Sequence, residues 1–584
     1  MAQVDVHTLV MIRLLHFLRP FRSLVALVLA LTFVQTTATL YLPTLTSNIV
    51  DTGVVKGNVP YIIQIGALML AITLLGAAAA ALSSLFGSRA TAGFGQRLRS
   101  AVFSHVQQFT LRGFDQIGTS SLIVRTTNDV MQVQQLINMM LSMMVMAPLT
   151  AIGGIVLALY TDARLAVIAF LAIPVLGLAI YLLMRRGLGL FSTMQVKVDR
   201  LNLVLRENLT GVRVIRAFDR VPFEVDRFDQ GNRSLTDTSV SVFRLMALLM
   251  PTVMLVMNLA VVAVVWFGGI EIGAGTLQVG QLMALIQYVM QIMFAVMMVS
   301  MMAFMIPRGQ ASANRINEVL DIAPDITDPA APQPAAPGGR LAFEHVTFHY
   351  PGAEQPALCD ISFVATPGQT VAIIGGTGAG KSTLLNLIPR FYDVTSGAIT
   401  LDGVDVRTIT QADLRAQIGY VPAQAVLFSG SVLDNLRYGD MDASEETATA
   451  ALSTAQADEF VAEMDGGVAA ELTQGGANLS GGQKQRLSIA RALVRQVPLY
   501  LFDDCFSALD YRTDAALRQA LRQRVSGATV LIVAQRVSTV MDADQILVID
   551  DGRLVGAGTH RQLMANSEVY REIVNSQLLP EEIA

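Results

Sequence analysis

The stretch Gly375-Gly-Thr-Gly-Ala-Gly-Lys-Ser382 decides the fold of the second half of the chain. It satisfies G-x-x-x-x-G-K-[ST] at every fixed position. An apolar run at residues 370–374 reads as a strand leading into it, and a helix opens at Lys381 and runs to residue 388. Glycines let the backbone curl so that its N–H groups point at phosphate oxygens. The helix start adds the positive end of its dipole. The reading assigns Gly375, Gly376, Thr377, Gly378, Ala379, Gly380, Lys381, Ser382 and Thr383 to a bound nucleotide. Lys381 is expected to reach the β- and γ-phosphates, and Ser382 to hold Mg²⁺.

Working outward, Pro498-Leu-Tyr-Leu-Phe-Asp503 is an apolar strand that ends in a carboxylate. Asp503 suits the acid on the Mg²⁺ side of a P-loop site; an ordinary strand-capping Asp is the competing reading. Between the two lies Leu479-Ser-Gly-Gly-Gln483, followed by a helix over 484–494. A serine and two glycines ahead of a helix make a second phosphate-binding helix start. Upstream, residues 341–350 read as a strand, so strands and helices alternate and an α/β domain follows over 341–584. The Pro- and Gly-rich residues 323–340 read as a linker.

The chain before that linker has a different character. Of 584 residues 53% are hydrophobic and 15% charged, and the mean hydropathy is +0.51. A soluble chain carries roughly a quarter charged residues, so part of this one sits in lipid. Six stretches are long enough to span a bilayer: 21–49, 61–86, 139–160, 165–184, 246–269 and 279–305. Residues 1–322 thus form an α-helical membrane domain, led by a short amphipathic segment at 9–18 that suits the interface. The first apolar run lacks the pattern of a cleavable secretory signal.

Arg89, Arg97, Arg99, Arg112 and Arg125 lie in one long connection, and Arg185, Arg186, Lys197, Arg200, Arg206, Arg213 and Arg216 in another. Basic residues mark the cytoplasmic side, which places both termini, both long connections and the α/β domain there. The connections keep helical spacing, with polar apices expected near 118–129 and 218–228. Those apices suit contact with the soluble domain, or are plain solvated loops.

Methionines crowd three spans, among them Met139, Met140, Met143, Met246, Met250, Met254, Met290, Met293, Met297 and Met301. Flexible, polarizable Met suits surfaces that take varied apolar ligands, and serves equally as lipid-facing filler. No acidic residue lies deep in a span, which argues against ion coupling. The net charge of −5 gives no sign of nucleic acid as a partner. The two cysteines, Cys359 and Cys505, read as reduced structural thiols, and no zinc-type cluster is present in the sequence.

A P-loop, an LSGGQ and an Asp-ended strand, in that order behind six spans, resemble the ATP-binding-cassette family over essentially the whole chain. The resemblance implies a half-transporter of the exporter type. In that family the signature Leu479, Ser480, Gly481, Gly482 and Gln483 closes on ATP held by the Walker A loop of another nucleotide domain. It also implies that Tyr350 stacks on adenine and that Ser507-Ala-Leu-Asp510 is the D-loop, with Asp510 at the nucleotide. Residues 114–120 and 125–129 look like the family's first intracellular loop, and 207–211 and 213–218 like its second.

Three positions depart from the family pattern. Asp504 stands where a hydrolytic cassette has Glu as general base, and its shorter side chain sets the carboxylate back by about 1.5 Å. A misplacement of about 1 Å can cost ~100-fold in rate. Gln535 stands where the switch His is expected, and Gln cannot become cationic or shuttle a proton. Ala423 takes the Q-loop position, with Gln424 next to it as the residue left to reach Mg²⁺. The chain is thereby expected to bind ATP and Mg²⁺, to hydrolyse ATP poorly at its own catalytic pair Asp504 and Gln535, and to complete a working site on a second half-transporter. A homodimer with two slow sites is the alternative.

The function expected is ATP-driven export of small amphipathic, drug-like compounds across a bacterial plasma membrane. Lipid, peptide or siderophore cargo, possible import, and a nucleotide-gated channel or regulatory subunit stay open beside it.

Overall fold

The computed structural model describes residue 11 and residues 13–577; side chains of Leu188, Met301, Ala303 and Phe304 also lie outside the description. Residues 9, 10 and 12 of the expected amphipathic segment fall outside it as well. The remainder of that segment turns Met11 and Leu14 inward and leaves Arg13 and His16 exposed. The chain divides into two compact units: the described residues up to 107 with 118–322, and 108–117 with 323–577.

The first unit is six long helices: α1 (Arg13–Val54), α2 (Val59–Val106), α3 (Thr119–Thr161), α4 (Ala163–Thr210), α5 (Val221–Gly273) and α6 (Val279–Asp321). Each contains an apolar window long enough to cross a membrane, where backbone groups have no water to bond and satisfy themselves as helix. The longest has 53 residues, about 80 Å at 1.5 Å per residue against a hydrocarbon layer of about 30 Å. The helices therefore run well beyond the bilayer.

Both long connections reverse earlier than their polarity suggests. The expected apex at 118–129 is helical from Thr119, and Arg125–Asp129 forms one π-helical turn. Its hydroxyls bond back into the helix, Thr126 Oγ1 to Leu122 O at 2.8 Å and Thr127 Oγ1 to Ile123 O at 2.7 Å. The break falls instead around residues 107–118, which include the short helix Leu111–Ile117. In the second connection the helix resumes at Val221, not beyond 228, because Asn208 and Arg227 both bind Glu224 and Arg227 also pairs with Glu207.

Polar side chains fasten the helices to one another. Thr32 Oγ1 and Ser83 Oγ, both buried, join α1 to α2 at 3.0 Å. The hydroxyls of Thr44 in α1 and Tyr288 in α6 meet at 2.6 Å. At the loop end of α1 the Asp51 carboxylate accepts from Gly280 N (2.6 Å) and Ser47 Oγ (3.1 Å), so it caps α6 from a different helix. Between α3 and α6 the fully buried Asp129 accepts from Arg315 Nε at 2.8 Å and Ser312 Oγ at 2.9 Å, and also from Arg315 Nη2. Arg125 extends this cluster to Arg315 O and Glu318, each at 2.8 Å. The methionines divide: Met293, Met298 and Met302 are buried, while Met144, Met250, Met254, Met283 and Met290 face outward.

The second unit is built on β1 (Leu341–Phe348), β2 (Leu358–Ala365), β3 (Thr370–Gly375), β4 (Ser396–Leu401), β5 (Val404–Asp405), β6 (Ile418–Val421), β7 (Gly430–Ser431), β8 (Glu471–Leu472), β9 (Leu499–Asp503), β10 (Thr529–Val533), β11 (Gln545–Asp550) and β12 (Arg553–Gly558). A six-stranded sheet runs β12-β11-β3-β10-β9-β6 and is parallel except for β12. A four-stranded antiparallel sheet, β2-β1-β4-β5, stands beside it, and the two share a core that includes Leu384, Leu501 and Leu531. The helices that matter for the site are α7 (Lys381–Leu387), α8 (Gly481–Val494), α9 (Tyr511–Arg524) and α10 (Glu568–Gln577). Residues 323–340 form no helix or strand, yet Asp402 grips their end by accepting N–H bonds from Gly338, Gly339 and Arg340 at 2.8–2.9 Å.

Candidate functional site

Open parallel sheets collect ligands beyond the carboxyl ends of their strands. Here β3, β10 and β9 are neighbours, with Val533 in register with both Ile373 and Asp503. That pairing gathers the loop after β3, the acids Asp503 and Asp504 at the end of β9 and the Ala534-Gln535 segment after β10. Ala534 N bonds Ile373 O at 3.1 Å and Asp504 N bonds Val533 O at 3.0 Å, so the three strand ends are zipped together.

The glycines of the loop are demanded by its shape. Gly378 and Gly380 have φ of +85° and +99°, and a Cβ on Gly380 would stand 2.7 Å from Ala357 O. Gly375 has no room for a Cβ against Ile549 O. Lys381 is buried and its Nζ donates to Gly376 O at 2.6 Å and Gly375 O at 3.0 Å, inside the curl of the loop. Burial pulls its pKa down, and the charges of Asp504 and Asp503 oppose that. A cationic side chain set among loop amides at a helix start is an anion cradle.

Ser382 Oγ donates to Asp503 Oδ1 at 2.9 Å. Asp503 is buried, and burial pushes its carboxyl above the usual carboxylate range, with the Asp504 charge adding. A hydroxyl and a carboxylate side by side fit the protein half of a Mg²⁺ site, which takes its other ligands from phosphate and water. Among the described residues no cluster of three His, Cys, Asp or Glu side chains forms a cage of its own. Gln424 and Ala423 are exposed, and no hydrogen bond joins Gln424 to Ser382 or Asp503 among the described residues.

Asp504 has φ of +43°, and its Oδ2 accepts from Gln535 Nε2 at 2.8 Å. Burial pushes its carboxyl up, while Lys381 and the Gln535 bond pull it back. Sequence reasoning missed what holds Gln535: Gln577, at the end of α10, donates to Gln535 O and accepts from Val537 N, both at 2.8 Å. No local signal marks a residue forty positions away. It also missed Gln485, a buried residue of α8 that donates to Pro422 O at 3.3 Å and so anchors the Q-loop.

The signature segment starts α8. Ser480 Oγ accepts from Gln483 N at 3.3 Å and Gln483 Oε1 accepts from Ser480 N at 2.9 Å, a reciprocal capping box. Leu479 packs on the core, and Gly481 is exposed in the first turn. A Cβ on Gly482 would sit 3.2 Å from Ala508 O. Asp510 is the N-cap of α9, accepting from Thr513 N (2.9 Å) and Thr513 Oγ1 (2.8 Å). Tyr350 OH meets Thr383 Oγ1 at 2.9 Å, and the ring stands edge-on to Phe348 and Tyr392. Thr377 and Ala379 lie in the loop itself.

Six membrane-spanning helices and a P-loop domain with its own signature helix are the parts of an ABC exporter half-transporter. Residues 25–296 match the family described as ABC transporter transmembrane region and residues 358–507 the family described as ABC transporter. The chain is 44% identical over 567 residues to an ABC transporter ATP-binding protein of Mycobacterium tuberculosis, covering 96% of this chain and 97% of that one. It is 34% identical to a fatty acid ABC transporter ATP-binding/permease protein of Mycobacterium bovis, over 82% of this chain and 76% of that one. Among solved structures, a bacterial Atm1-family ABC exporter with ATP bound superposes with a TM-score of 0.80 at 26% identity, over 96% and 99% of the two chains. The chain belongs to the ABC transporters: an integral membrane protein of the exporter fold whose ATP-binding domain drives transport.

Proposed function

We propose that this chain is one subunit of a two-chain exporter of small amphipathic compounds, and that its own Walker site binds ATP with Mg²⁺ but turns it over slowly. The observation that carries the reading is the bond between Asp504 and Gln535. The carboxylate in the general-base position is the shorter one, and one of its oxygens is committed to an amide. That amide donates a hydrogen bond but cannot take up and pass on a proton. Lys381 and the loop amides hold the triphosphate, and Ser382 and Asp503 hold Mg²⁺, which when bound neutralises charge on the phosphate oxygens. The intact Leu479–Gln483 helix start is then available to complete the site of a second, different subunit.

Amphipathic cargo is supported by the methionines crowded into three spans and by the relative named for fatty acids. Mg-ATPase activity of the chain purified alone in lipid, with ATP binding read in the same sample, tests the proposal. Binding with almost no turnover supports it. Brisk hydrolysis overturns it and favours a homodimer.

A further inference from the structure

Within the second unit lies a cavity of about 560 Å³, in the size range of small-molecule sites. Tyr350 and Tyr392 form one side of it, and Arg112, Asp115 and Gln116 of the helix Leu111–Ile117 form the other. The aromatic side is fixed in place. Tyr350 is tied by its hydroxyl to Thr383 on the first turn of α7, and its ring stands between Phe348 and Tyr392 at centroid distances of 4.9 and 5.4 Å. A nucleotide with phosphates on the start of α7 and its base on Tyr350 therefore turns its remaining edge toward that short helix.

The two charges on the helix differ in availability. Arg112 is engaged by Asp325 at 3.4 Å. The Asp115 carboxylate makes no hydrogen bond or ion pair among the described residues, and its charge reaches across the cavity: the Tyr392 hydroxyl is raised first by burial and next by Asp115.

We propose that Asp115 is a nucleoside-binding residue, its carboxylate accepting a hydrogen bond from the adenine 6-amino group or a ribose hydroxyl of ATP stacked on Tyr350. Both donors are N–H or O–H groups that a carboxylate bonds strongly. The proposal rests on the reading of the P-loop as an ATP site. Its consequence is that the helix Leu111–Ile117, which leads into α3, touches the nucleotide directly.

The test is equilibrium binding of ATP, ITP (without the amine) and 2′,3′-dideoxy-ATP (without the hydroxyls) to the full-length protein in lipid, using wild type, Asp115→Ala and Lys381→Ala. Asp115→Ala is expected to weaken ATP about tenfold, the scale of a hydrogen bond to a charged group. It should leave unchanged the one analogue that lacks the donor, which identifies that donor. ATP affinity equal to wild type in Asp115→Ala, with Lys381→Ala crippled, overturns this inference alone. Equal weakening of all three nucleotides overturns it too, because no directed bond is then lost. Normal ATP binding by Lys381→Ala overturns the P-loop reading and this inference with it.

Discussion

The side-chain amide of Gln535 donates to Asp504 Oδ2 at 2.8 Å, so two of the three positions that depart from the family pattern are each other's partners. A hydrogen bond to a carboxylate stabilises its ionised form and makes it a poorer base. The Asp504 side chain is also too short by about one carbon–carbon bond. Replacing both residues, Asp504→Glu with Gln535→His, is expected to raise single-turnover hydrolysis at this site by up to about 100-fold. An unchanged rate in an otherwise intact transporter would count against slow chemistry as the result of these two side chains.

Ser480 has two duties, one in the helix and one at its surface. As N-cap it satisfies Gln483 N, and losing such a cap costs about 1 kcal/mol. In the proposed two-chain transporter its exposed hydroxyl, at a helix start, would face the nucleotide of the second subunit. Ser480→Ala is expected to lower the melting temperature slightly and to cut the ATPase rate of the assembled transporter on the order of 100-fold, as removal of a transition-state donor does. The small melting shift with normal turnover would leave only the capping duty.

Gln577 clamps the switch segment by two bonds, to Gln535 O and from Val537 N. Gln577→Ala is expected to speed amide hydrogen exchange at Val537 about fivefold, for a bond worth about 1 kcal/mol. ATP binding should persist, because Gln577 touches neither Lys381 nor Ser382. Unchanged exchange at Val537 would show that the segment is held by other means.

The two thiols differ sharply. Cys505 is fully buried beside Asp504, and burial pushes its thiol well above the ordinary range, with the charges of Asp503 and Asp504 adding. Cys359 is half-buried in β2. The thiolate is the reactive form, so a maleimide at pH 8 is expected to label one site per native chain, at Cys359. Denaturation should expose the second. Modification of Cys505 in the native protein, read by peptide mass, would show that the turn after β9 opens locally.

Much of this architecture can be read from the sequence, because the features concerned are local. Gly378 and Gly380 are glycines because the loop turns through positive φ at both, and the Ser480–Gln483 capping box spans four residues. The spans follow from composition alone. The features that escaped reading join distant residues: Asp129 with Arg315, Asp51 with Gly280, Gln577 with Gln535. Polarity misplaced the first apex for the same reason. The polar run 125–129 reads as a turn only until Arg315 and Ser312 are present to satisfy Asp129 within a helix.

Asp51 belongs to α1, yet the amide it satisfies starts α6, and Gly280 has no side chain because Ser47 O and the Asp51 carboxylate fill that space. Helix α6 thus has, beside its own Gln278–Gln281 capping box, a second fastening from a neighbour. Parting the two ends would leave a partly buried carboxylate and an amide each short of a partner. The loop end of α1 and the start of α6 are thereby latched to each other.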